Sequence, residues 1–415
     1  MMILKKIGAG IVLDSRKERT IKVIVKTEKG NFITSAPAGK SKGKYEATSY
    51  AKNIELDIGY INNLNIRKLN ILNIRKFKDL IKIEKLMNGK IGANTLFAFE
   101  ASLLKAIAGE NGKELWNFLL GEVSSESKDS ENSKFAAKYK IKFPRPIGNA
   151  IGGGLHSKGK NGKKPDFQEF LFIPKCKTFK QCVRLNDIAY YYCWKLLGYW
   201  VKKRNDESAW ETGYSNEQIL KIMNNVKKII QRRFRQEIDI GIDCASSGFF
   251  KNGFYYYKNP PRKFDEIGQL NYINYLIKKY NLFYVEDPVD EEDFDNFSEL
   301  NKKNKNKLIV GDDLTVTNPE RLKKAIKENS ISGIIVKPNQ IGSLLKFKEV
   351  IDIAKKNKIK TIISHRSGET MDNTIADLCI GFQCDFIKTG IYGDIRKAKL
   401  KRIIEIERQV IGDTE

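Results

Sequence analysis

The sequence has no apolar run approaching the roughly eighteen residues that cross a membrane, and residues 1–16 lack the layout of a signal peptide. Cysteine is sparse and forms neither a CxxC pair nor a dense framework, at positions 176, 182, 193, 244, 379 and 384. We therefore expect reduced thiols in a cytoplasmic protein, without a disulfide scaffold or a membrane span. Histidine occurs only twice in 415 residues, which makes both histidines candidates for a functional role.

Acidic side chains are also in short supply. The chain has 50 of them against 75 basic ones, so its formal net charge is +25. A basic excess is typical of nucleic-acid-binding proteins, but here the lysines are spread along the whole chain with Asn and Ile. A general compositional bias gives the same picture, because solvated lysine faces are common. We therefore do not expect nucleic acid as a partner, and keep it as an alternative.

The composition predicts a folded protein of more than one domain. Hydrophobic residues make up 41% of a chain that is too long for one small core, so a large domain with a smaller one is expected. Residues 1–60 alternate apolar and polar, which predicts a small antiparallel sheet, and residues 70–120 have a helical period. The polar segment 121–134 predicts a linker. The predicted domains are therefore 1–134, of α+β type, and 135–415.

In the second domain, short apolar runs end in polar residues and are followed by helical stretches. Six such runs end at Asp243, Glu286, Asp312, Lys337, His365 and Lys388. Successive ends are 43, 26, 25, 28 and 23 residues apart, the length of a strand-plus-helix unit. Such units predict a TIM-like (β/α) barrel, with a doubly wound sheet as the alternative. The barrel is favoured because nearly every strand has a charged side chain at its carboxyl end, where barrel enzymes build their sites.

The chemistry of these strand ends indicates a metal and an anionic substrate. Three of the ends are carboxylates, which would repel one another at a barrel mouth unless a cation lay between them. Oxygen ligands suit Mg²⁺, which keeps positions open for water and substrate. The basic ends, Lys337, Arg366 and Lys388, predict a substrate with phosphate or carboxylate groups. A lysine facing a cation can act as a general base, so the arrangement suits proton abstraction next to a carboxylate.

Two further segments place polar residues close to this pattern. Gln168 and Glu169 come just before an apolar strand, and Asp206 and Glu207 lie in a loop between two predicted helices. An acid in such a loop is more often a solvated surface charge than a catalytic group. The residues alone leave both interpretations open.

Longer motifs resemble those of the enolase family, the phosphopyruvate hydratases, nearly from end to end. The most specific ones contain the strand ends: VEDPVDEEDF (285–294), VGDDLTVTNPERL (310–322), IVKPNQIGSL (335–344) and ISHRSGET (363–370). The others are LDSRKERTIKV (13–23), APAGKSKGKYEA (36–47), KIGANTLFAFEASLLKA (90–106), NAIGGGLHS (149–157) and FQEFLFIP (167–174). Matches of this length in this order are not expected by chance.

The resemblance implies the residues that carry the reaction. Lys337 would remove the C2 proton of 2-phosphoglycerate, and Glu207, helped by Glu169, would protonate the departing C3 hydroxyl. Two Mg²⁺ ions would bind in each active site. The first would be held by Asp243, Glu286 and Asp312. The second would arrive with the substrate, held by its phosphate and by the loop around Ser41.

The resemblance also implies the residues that bind the substrate. Arg366 and Ser367 would hold its phosphate, and Lys388 would lie on its carboxylate side. Gln168 and His156 would close over the site. His365, beside Arg366, belongs to the same phosphate-binding strand end, so both histidines of the chain are candidate catalytic residues.

Some segments depart from the family's pattern. The family's GDEGGFAPN is NDESAWETG (205–213) here, so both loop glycines are lost although Glu207 is kept. Lysines stand at positions 40 and 42 in place of Ala and Thr, and the family's GAPxRSER is GIYGDIRK (390–397). The last segment and LDSRKER both lie near the family's subunit contacts. We expect a homodimer or a higher homo-oligomer.

Together these features predict a cytoplasmic enolase that reversibly dehydrates 2-phosphoglycerate to phosphoenolpyruvate in glycolysis and gluconeogenesis. One alternative is an enolase-superfamily enzyme that acts on another carboxylate. The retained Ser41, Arg366, Ser367 and Lys388 favour the phosphorylated substrate. The other alternative is an enolase-like protein without turnover, whose basic surface binds nucleic acid. The retention of every candidate catalytic side chain argues against it.

Overall fold

The first part of the chain forms a small antiparallel sheet. The computed structural model describes residues 3–40, 43–126, 141–160 and 162–412. The sheet has three strands, in the order β1 (Lys6–Leu13), β2 (Arg19–Thr27) and β3 (Gly30–Ser35). Ile21, Val23 and Val25 of the central strand are fully buried, because alternate side chains of a strand lie on the same face. That face packs against the helix formed by Ala93–Glu110.

Five helices come next: α1 (Ile54–Asn62), α2 (Ile66–Ile71), α3 (Leu80–Met87), α4 (Ala93–Glu110) and α5 (Leu115–Glu126). The sheet predicted over residues 1–60 is therefore too long, since it ends at Ser35. Helix α1 begins inside the predicted span because the Asn53 side chain caps it, accepting a hydrogen bond of 2.9 Å from the backbone N–H of Leu56.

The linker predicted over 121–134 is wrong in its first part. Helix α5 continues to Glu126, and its buried Leu119 packs closely against Gly381 of a C-terminal helix. Packing of an apolar helix face stabilises the helix more than the polar residues at its end oppose it. The rest of the segment, and with it the predicted boundary at residue 134, lies outside the described residues.

Of the remaining strands, eight form a closed barrel and three form a small antiparallel sheet. They are β4 (Arg145–Gly152), β5 (Glu169–Lys175), β6 (Trp210–Glu211), β7 (Glu237–Asp243), β8 (Phe250–Lys251), β9 (Phe254–Lys258), β10 (Pro261–Phe264), β11 (Tyr284–Glu286), β12 (Leu308–Gly311), β13 (Gly333–Val336), β14 (Lys360–Ser364) and β15 (Phe386–Lys388). Strands β4, β5, β7 and β11 to β15 make the barrel, which closes where β15 pairs with β4. The predicted barrel is confirmed, and the doubly wound alternative, an open sheet, is wrong.

One barrel strand runs in the opposite direction to the other seven. Strand β5 is antiparallel to both β4 and β7, whereas a series of identical strand-plus-helix units would make every strand parallel. The beginning of β5 therefore lies at the barrel mouth, where the other strands end. Its first residue, Glu169, pairs in register with Asp243, the last residue of β7.

Nine helices of the described chain surround or flank the barrel: α6 (Phe179–Leu197), α7 (Asn216–Phe234), α8 (Glu266–Tyr280), α9 (Phe294–Lys303), α10 (Pro319–Lys327), α11 (Pro338–Ile341), α12 (Leu344–Lys356), α13 (Thr374–Gly381) and α14 (Asp394–Ile411). Within the described ranges, no helix has both the length and the apolar character needed to cross a bilayer.

The inside of the barrel is packed with apolar side chains. They come from alternating positions of the strands: Ile147, Leu171, Ile173, Tyr284, Val310, Ile335 and Ile362. All are at most 1% exposed, so the barrel has a solid core rather than a pore. A substrate can therefore meet the strand-end side chains only at the mouth.

Candidate active site

The barrel mouth brings together the residues predicted to form the site. One cavity there is lined by eleven of the thirteen: His156, Gln168, Glu169, Glu207, Asp243, Asp312, Lys337, His365, Arg366, Ser367 and Lys388. Glu286 lies immediately beside it, because its carboxylate contacts Lys388. Ser41 lies outside the described residues.

Lys388 at the end of β15 is surrounded by carboxylates. Its Nζ lies 2.7 Å from Oε2 of Glu286, and 3.1 Å from both Oδ2 of Asp243 and Oε2 of Glu169. Burial acts to lower the pKa of Lys388, but the three carboxylates outweigh it and raise this pKa well above its ordinary value. Burial, together with the Asp243 carboxylate, raises the pKa of Glu286 to about 8. The lysine therefore offsets only part of the repulsion among the acids.

The third predicted metal ligand, Asp312, is paired with Lys337 at the end of β13. Burial acts to raise the pKa of Asp312, but the Lys337 ammonium outweighs it and the pKa is lowered. Two buried oxygens among the predicted ligands, Oε1 of Glu286 and Oδ1 of Asp312, have no hydrogen-bond partner among the described residues. Buried carboxylate oxygens are costly without a partner, and they are ligands that a hard divalent cation prefers. The acids here could therefore hold a metal ion.

Asp287 and Asp313 stand next to two of the predicted ligands but were not singled out from the sequence. Ligand oxygens of Asp287, Asp312 and Asp313 lie within 4.8 Å of one another. The carboxylate of Asp287 accepts hydrogen bonds from the backbone N–H of Asp312 at 3.0 Å and of Asp313 at 2.8 Å. It therefore fixes the backbone of the loop after β12, and with it the position of the Asp312 side chain.

Glu207 lines the same cavity. Its Oε2 accepts a 3.0 Å hydrogen bond from Asn149, and its Oε1 lies 3.4 Å from Nδ1 of His156. Nε2 of His365 is 3.8 Å away, and Glu169 lies close enough to form a cluster with His156 and Glu207. Glu207 is buried, so the alternative of a solvated surface charge is wrong for it. The sequence did not indicate that Asn149 donates a hydrogen bond to Glu207.

Two adjacent carboxyl groups in this cavity have opposite pKa shifts. Burial, and then the Glu207 carboxylate, raises the pKa of Glu169 well above its usual range. Burial also acts to raise the pKa of Glu207, but His156, His365 and the nearby Arg396 outweigh it and lower this pKa. Between these two groups, the opposite shifts favour a proton on Glu169 over one on Glu207.

Arg366 joins the barrel to the N-terminal part of the chain. Its Nη2 lies 3.0 and 2.9 Å from the two carboxylate oxygens of Glu46. The hydroxyl of Ser367 accepts hydrogen bonds from Nη1 of Arg16 at 3.1 Å and from the backbone N–H of Lys40 at 2.8 Å. The site is therefore completed by residues more than 300 positions away in the sequence, which the sequence did not identify.

Arg396 of α14 supports the strand end that contains both His365 and Arg366. Its Nη1 lies 2.7 Å from Nδ1 of His365 and donates to the backbone carbonyl of Arg366 at 2.6 Å, while Nη2 donates to the carbonyl of Ser367 at 2.6 Å. A guanidinium only donates, so Nδ1 of His365 accepts and its Nε2 carries the proton that faces Glu207. Arg396 lies in GIYGDIRK, where the sequence showed only a departure from the family's pattern.

A substitution at Gly39 tests the position of Arg366. A Cβ atom added at Gly39 would lie 1.9 Å from Nη2 of Arg366, so alanine there must push the guanidinium aside. Since a misplaced binding group can cost about 10²-fold in rate, we expect Gly39→Ala to raise the KM for the substrate about tenfold or more in steady-state kinetics. Gly59→Ala in α1 is the control, because a Cβ atom added there would meet no neighbouring group within 4 Å. This variant should leave KM unchanged. Equal KM values for the two variants would contradict this position of Arg366.

Comparisons with known proteins agree with this geometry. The model of the family "Enolase, C-terminal TIM barrel domain" matches residues 140–415. The enolase of Picrophilus torridus is 34% identical over 411 residues, covering 96% of this chain and 97% of the relative. The enolases of Thermoplasma acidophilum (34% identity, 97% and 98% coverage) and Sulfurisphaera tokodaii (36% identity, 97% and 95% coverage) are similar over the same length. The chain therefore belongs to the enolase family, and it is a lyase with enolase activity.

Proposed function

We propose that the chain carries out the Mg²⁺-dependent, reversible dehydration of 2-phosphoglycerate with Lys337 as the base and Glu207 as the acid. The observation that carries this assignment is their placement in one cavity, on walls that also contain Arg366 and the carboxylate cluster. A phosphorylated small molecule with a carboxylate complements this set of charges. The reaction needs a proton acceptor for C2 of this substrate and a proton donor for its C3 hydroxyl, and we assign these roles to Lys337 and Glu207.

Lys337 takes the proton from C2 of the substrate. It can do so only as a neutral amine, and burial and the Arg366 guanidinium both act to lower its pKa. The Asp312 carboxylate acts in the opposite direction and raises the pKa of Lys337 overall. A positive charge that competes with Lys337 for the Asp312 carboxylate would therefore make Lys337 a base more readily.

The predicted metal ligands Asp243, Glu286 and Asp312 would hold one Mg²⁺ through their carboxylate oxygens. When bound, the ion supplies positive charge against which the substrate carboxylate can accumulate negative charge as C2 loses its proton. A second Mg²⁺ would arrive with the substrate phosphate and the loop around Ser41, outside the described residues. The two unpartnered buried oxygens described above support the first of these sites.

The other side chains of the cavity bind and enclose the substrate. Arg366 and Ser367 hold the phosphate, and Lys388 lies on the side of the carboxylate. Gln168 and His156 line the same cavity and close over it. His365 lies beside Glu207, with its Nε2 3.8 Å from the carboxylate, and helps to enclose the acid in the cavity.

Three further proposals rest on the resemblance. We propose a small N-terminal domain ending near residue 134, a cytoplasmic location and a homodimer or higher oligomer. An enzyme of the same superfamily with another substrate is the main alternative function. It is disfavoured because Arg366 and Ser367 both line the cavity. A substrate without phosphate would leave the guanidinium and the hydroxyl without a substrate group to bind.

A turnover assay tests the proposed function directly. With 2-phosphoglycerate and Mg²⁺, we expect formation of the enol product, and chelation should abolish it until Mg²⁺ is restored. Asp312→Asn should weaken Mg²⁺ binding, measured by isothermal titration calorimetry, because one charged ligand is lost. Asp187→Asn, an exposed acid on α6, is the control. Activity that survives chelation would contradict the metal assignment, and folded protein without turnover would favour another substrate.

A further inference from the structure

We infer that Tyr190 and Arg204 are positioning residues for Glu207, because they fix the backbone of the loop that contains it. The loop comprises residues 205–209 and lies between α6 and β6. This inference rests on the proposed role of Glu207 as the acid. It adds to that role a reason why Glu207 stays in place in a loop without glycine.

The loop contains a backbone conformation that has to be stabilised. Ser208, directly after Glu207, has a φ of 65°, in the left-handed region that side chains other than glycine adopt at a cost. Within the loop, the Asn205 side chain accepts hydrogen bonds from the backbone N–H of Glu207 at 3.0 Å and of Ala209 at 2.9 Å. These contacts close the turn on itself, but they do not attach it to the barrel.

Tyr190 makes one such attachment, beside the 3.2 Å hydrogen bond that Nη2 of Arg396 donates to the carbonyl of Asp206. Its hydroxyl donates a 2.6 Å hydrogen bond to the backbone carbonyl of Ser208. Nε of Arg204 donates to the same hydroxyl at 2.9 Å. Because the guanidinium has no acceptor, the phenolic hydrogen is directed at Ser208, and the positive charge strengthens this donation. The loop backbone is thus held by a charge-assisted chain of two hydrogen bonds.

Aromatic rings hold Tyr190 and Arg204 in this arrangement. The guanidinium of Arg204 lies 4.2 Å from the ring centre of Trp210 and 4.0 Å from that of Tyr392. The ring of Tyr190 stacks on the same two rings, with centroid distances of 5.0 and 5.6 Å. Cation–π and stacking contacts of this kind favour one orientation of the phenol and the guanidinium. Helix α6, strand β6 and the segment before α14 therefore meet behind the loop.

The contacts of Glu207 explain why this matters for catalysis. Its carboxylate has separate partners on each oxygen, Asn149 on one and His156 on the other, so a displaced loop cannot satisfy both. Lys337, directly after β13, makes no contact with the Glu207 carboxylate among the hydrogen bonds and ion pairs of the described residues. Loss of the Tyr190 hydroxyl should therefore impair proton donation at C3 and leave proton abstraction at C2 intact.

The test compares two reactions of one protein sample, elimination of water and exchange of the C2 proton with solvent deuterium. For Tyr190→Phe we expect elimination to fall about tenfold or more, since a misplaced catalytic group costs up to about 10²-fold, while exchange stays within about twofold of wild type. A partly unfolded sample would lower both reactions equally. Tyr280→Phe is the control, because the buried Tyr280 also donates to a backbone carbonyl, that of Glu217 at 3.3 Å. It should change neither reaction.

The outcome distinguishes this inference from the proposed function. If Glu207→Gln leaves elimination near normal, the role of Glu207 is wrong and the inference fails with it. If Glu207→Gln blocks elimination but a fully folded Tyr190→Phe sample changes neither reaction, or lowers both equally, the positioning role alone is overturned. Arg204→Met provides a second route should Tyr190→Phe fold poorly. It removes the donor to the Tyr190 hydroxyl and should again lower elimination but not exchange.

Discussion

Lys337→Ala is expected to abolish exchange of the C2 proton of 2-phosphoglycerate with solvent deuterium and to lower turnover by at least about 10²–10⁴-fold. Positioned proton transfer alone contributes a factor of this size. Lys337 lies at the end of β13, paired with Asp312 and lining the same cavity as Arg366. NMR detection of the C2 proton measures exchange separately from elimination.

A second buried lysine provides the matched control. Lys348 on α12 is also largely buried and paired with an aspartate, Asp352, but lies outside the cavity. Lys348→Ala should reduce stability without changing the ratio of exchange to elimination. Persistent exchange in Lys337→Ala would show that another group takes the proton, and the proposed mechanism would be wrong for this chain.

The barrel and most of its mouth could be predicted because they depend on local pattern. Parallel strands that alternate with helices place their carboxyl ends at one edge, so Asp243, Glu286 and Lys388 had to meet. The direction of β5 could not be predicted in this way. A short apolar run has the same pattern in either direction, and only the pairing of Glu169 with Asp243 shows that the beginning of β5 belongs at the mouth.

The supporting contacts of the site were not predictable, because they join distant parts of the chain. Glu46 and Arg366 are 320 positions apart, and a single sequence has no signal that pairs them. Arg396 lies in a stretch rich in lysine, DIRKAKLKR, which predicts a solvated helix. It is nevertheless 2% exposed, because its guanidinium donates to three backbone or ring acceptors of the 365–367 segment.

The resemblance to the family and the electrostatics of the cavity point to different members of the pair Glu169 and Glu207 as the proton donor. The resemblance assigns protonation of the leaving hydroxyl to Glu207, with Glu169 in a supporting role. The electrostatics of the cavity favour a proton on Glu169 over one on Glu207, since the pKa of Glu169 is raised and that of Glu207 is lowered. Both statements hold if the pair acts as one unit, with a proton that passes from Glu169 to Glu207 as the substrate binds.

Substitutions of Glu169 and Glu207 test whether the two glutamates act together or one of them is the acid alone. We expect Glu207→Gln to lower elimination about 10²–10⁴-fold while C2 exchange remains measurable, because Lys337 can still take the proton and return it. Glu169→Gln should lower elimination as well, since glutamine cannot pass a proton on. Glu100→Gln, a buried glutamate on α4 away from the cavity, is the control and should change neither reaction.

The double variant gives the sharper result. If Glu169 and Glu207 act as one unit, Glu169→Gln combined with Glu207→Gln should be no slower in elimination than Glu207→Gln alone, because the function is already lost. Losses that multiply would instead mean two independent contributions. Near-normal elimination in Glu207→Gln with a block in Glu169→Gln would transfer the acid role to Glu169. That result would leave Glu207 with the task of keeping the proton on its neighbour, since its negative charge is what raises the pKa of Glu169 after burial.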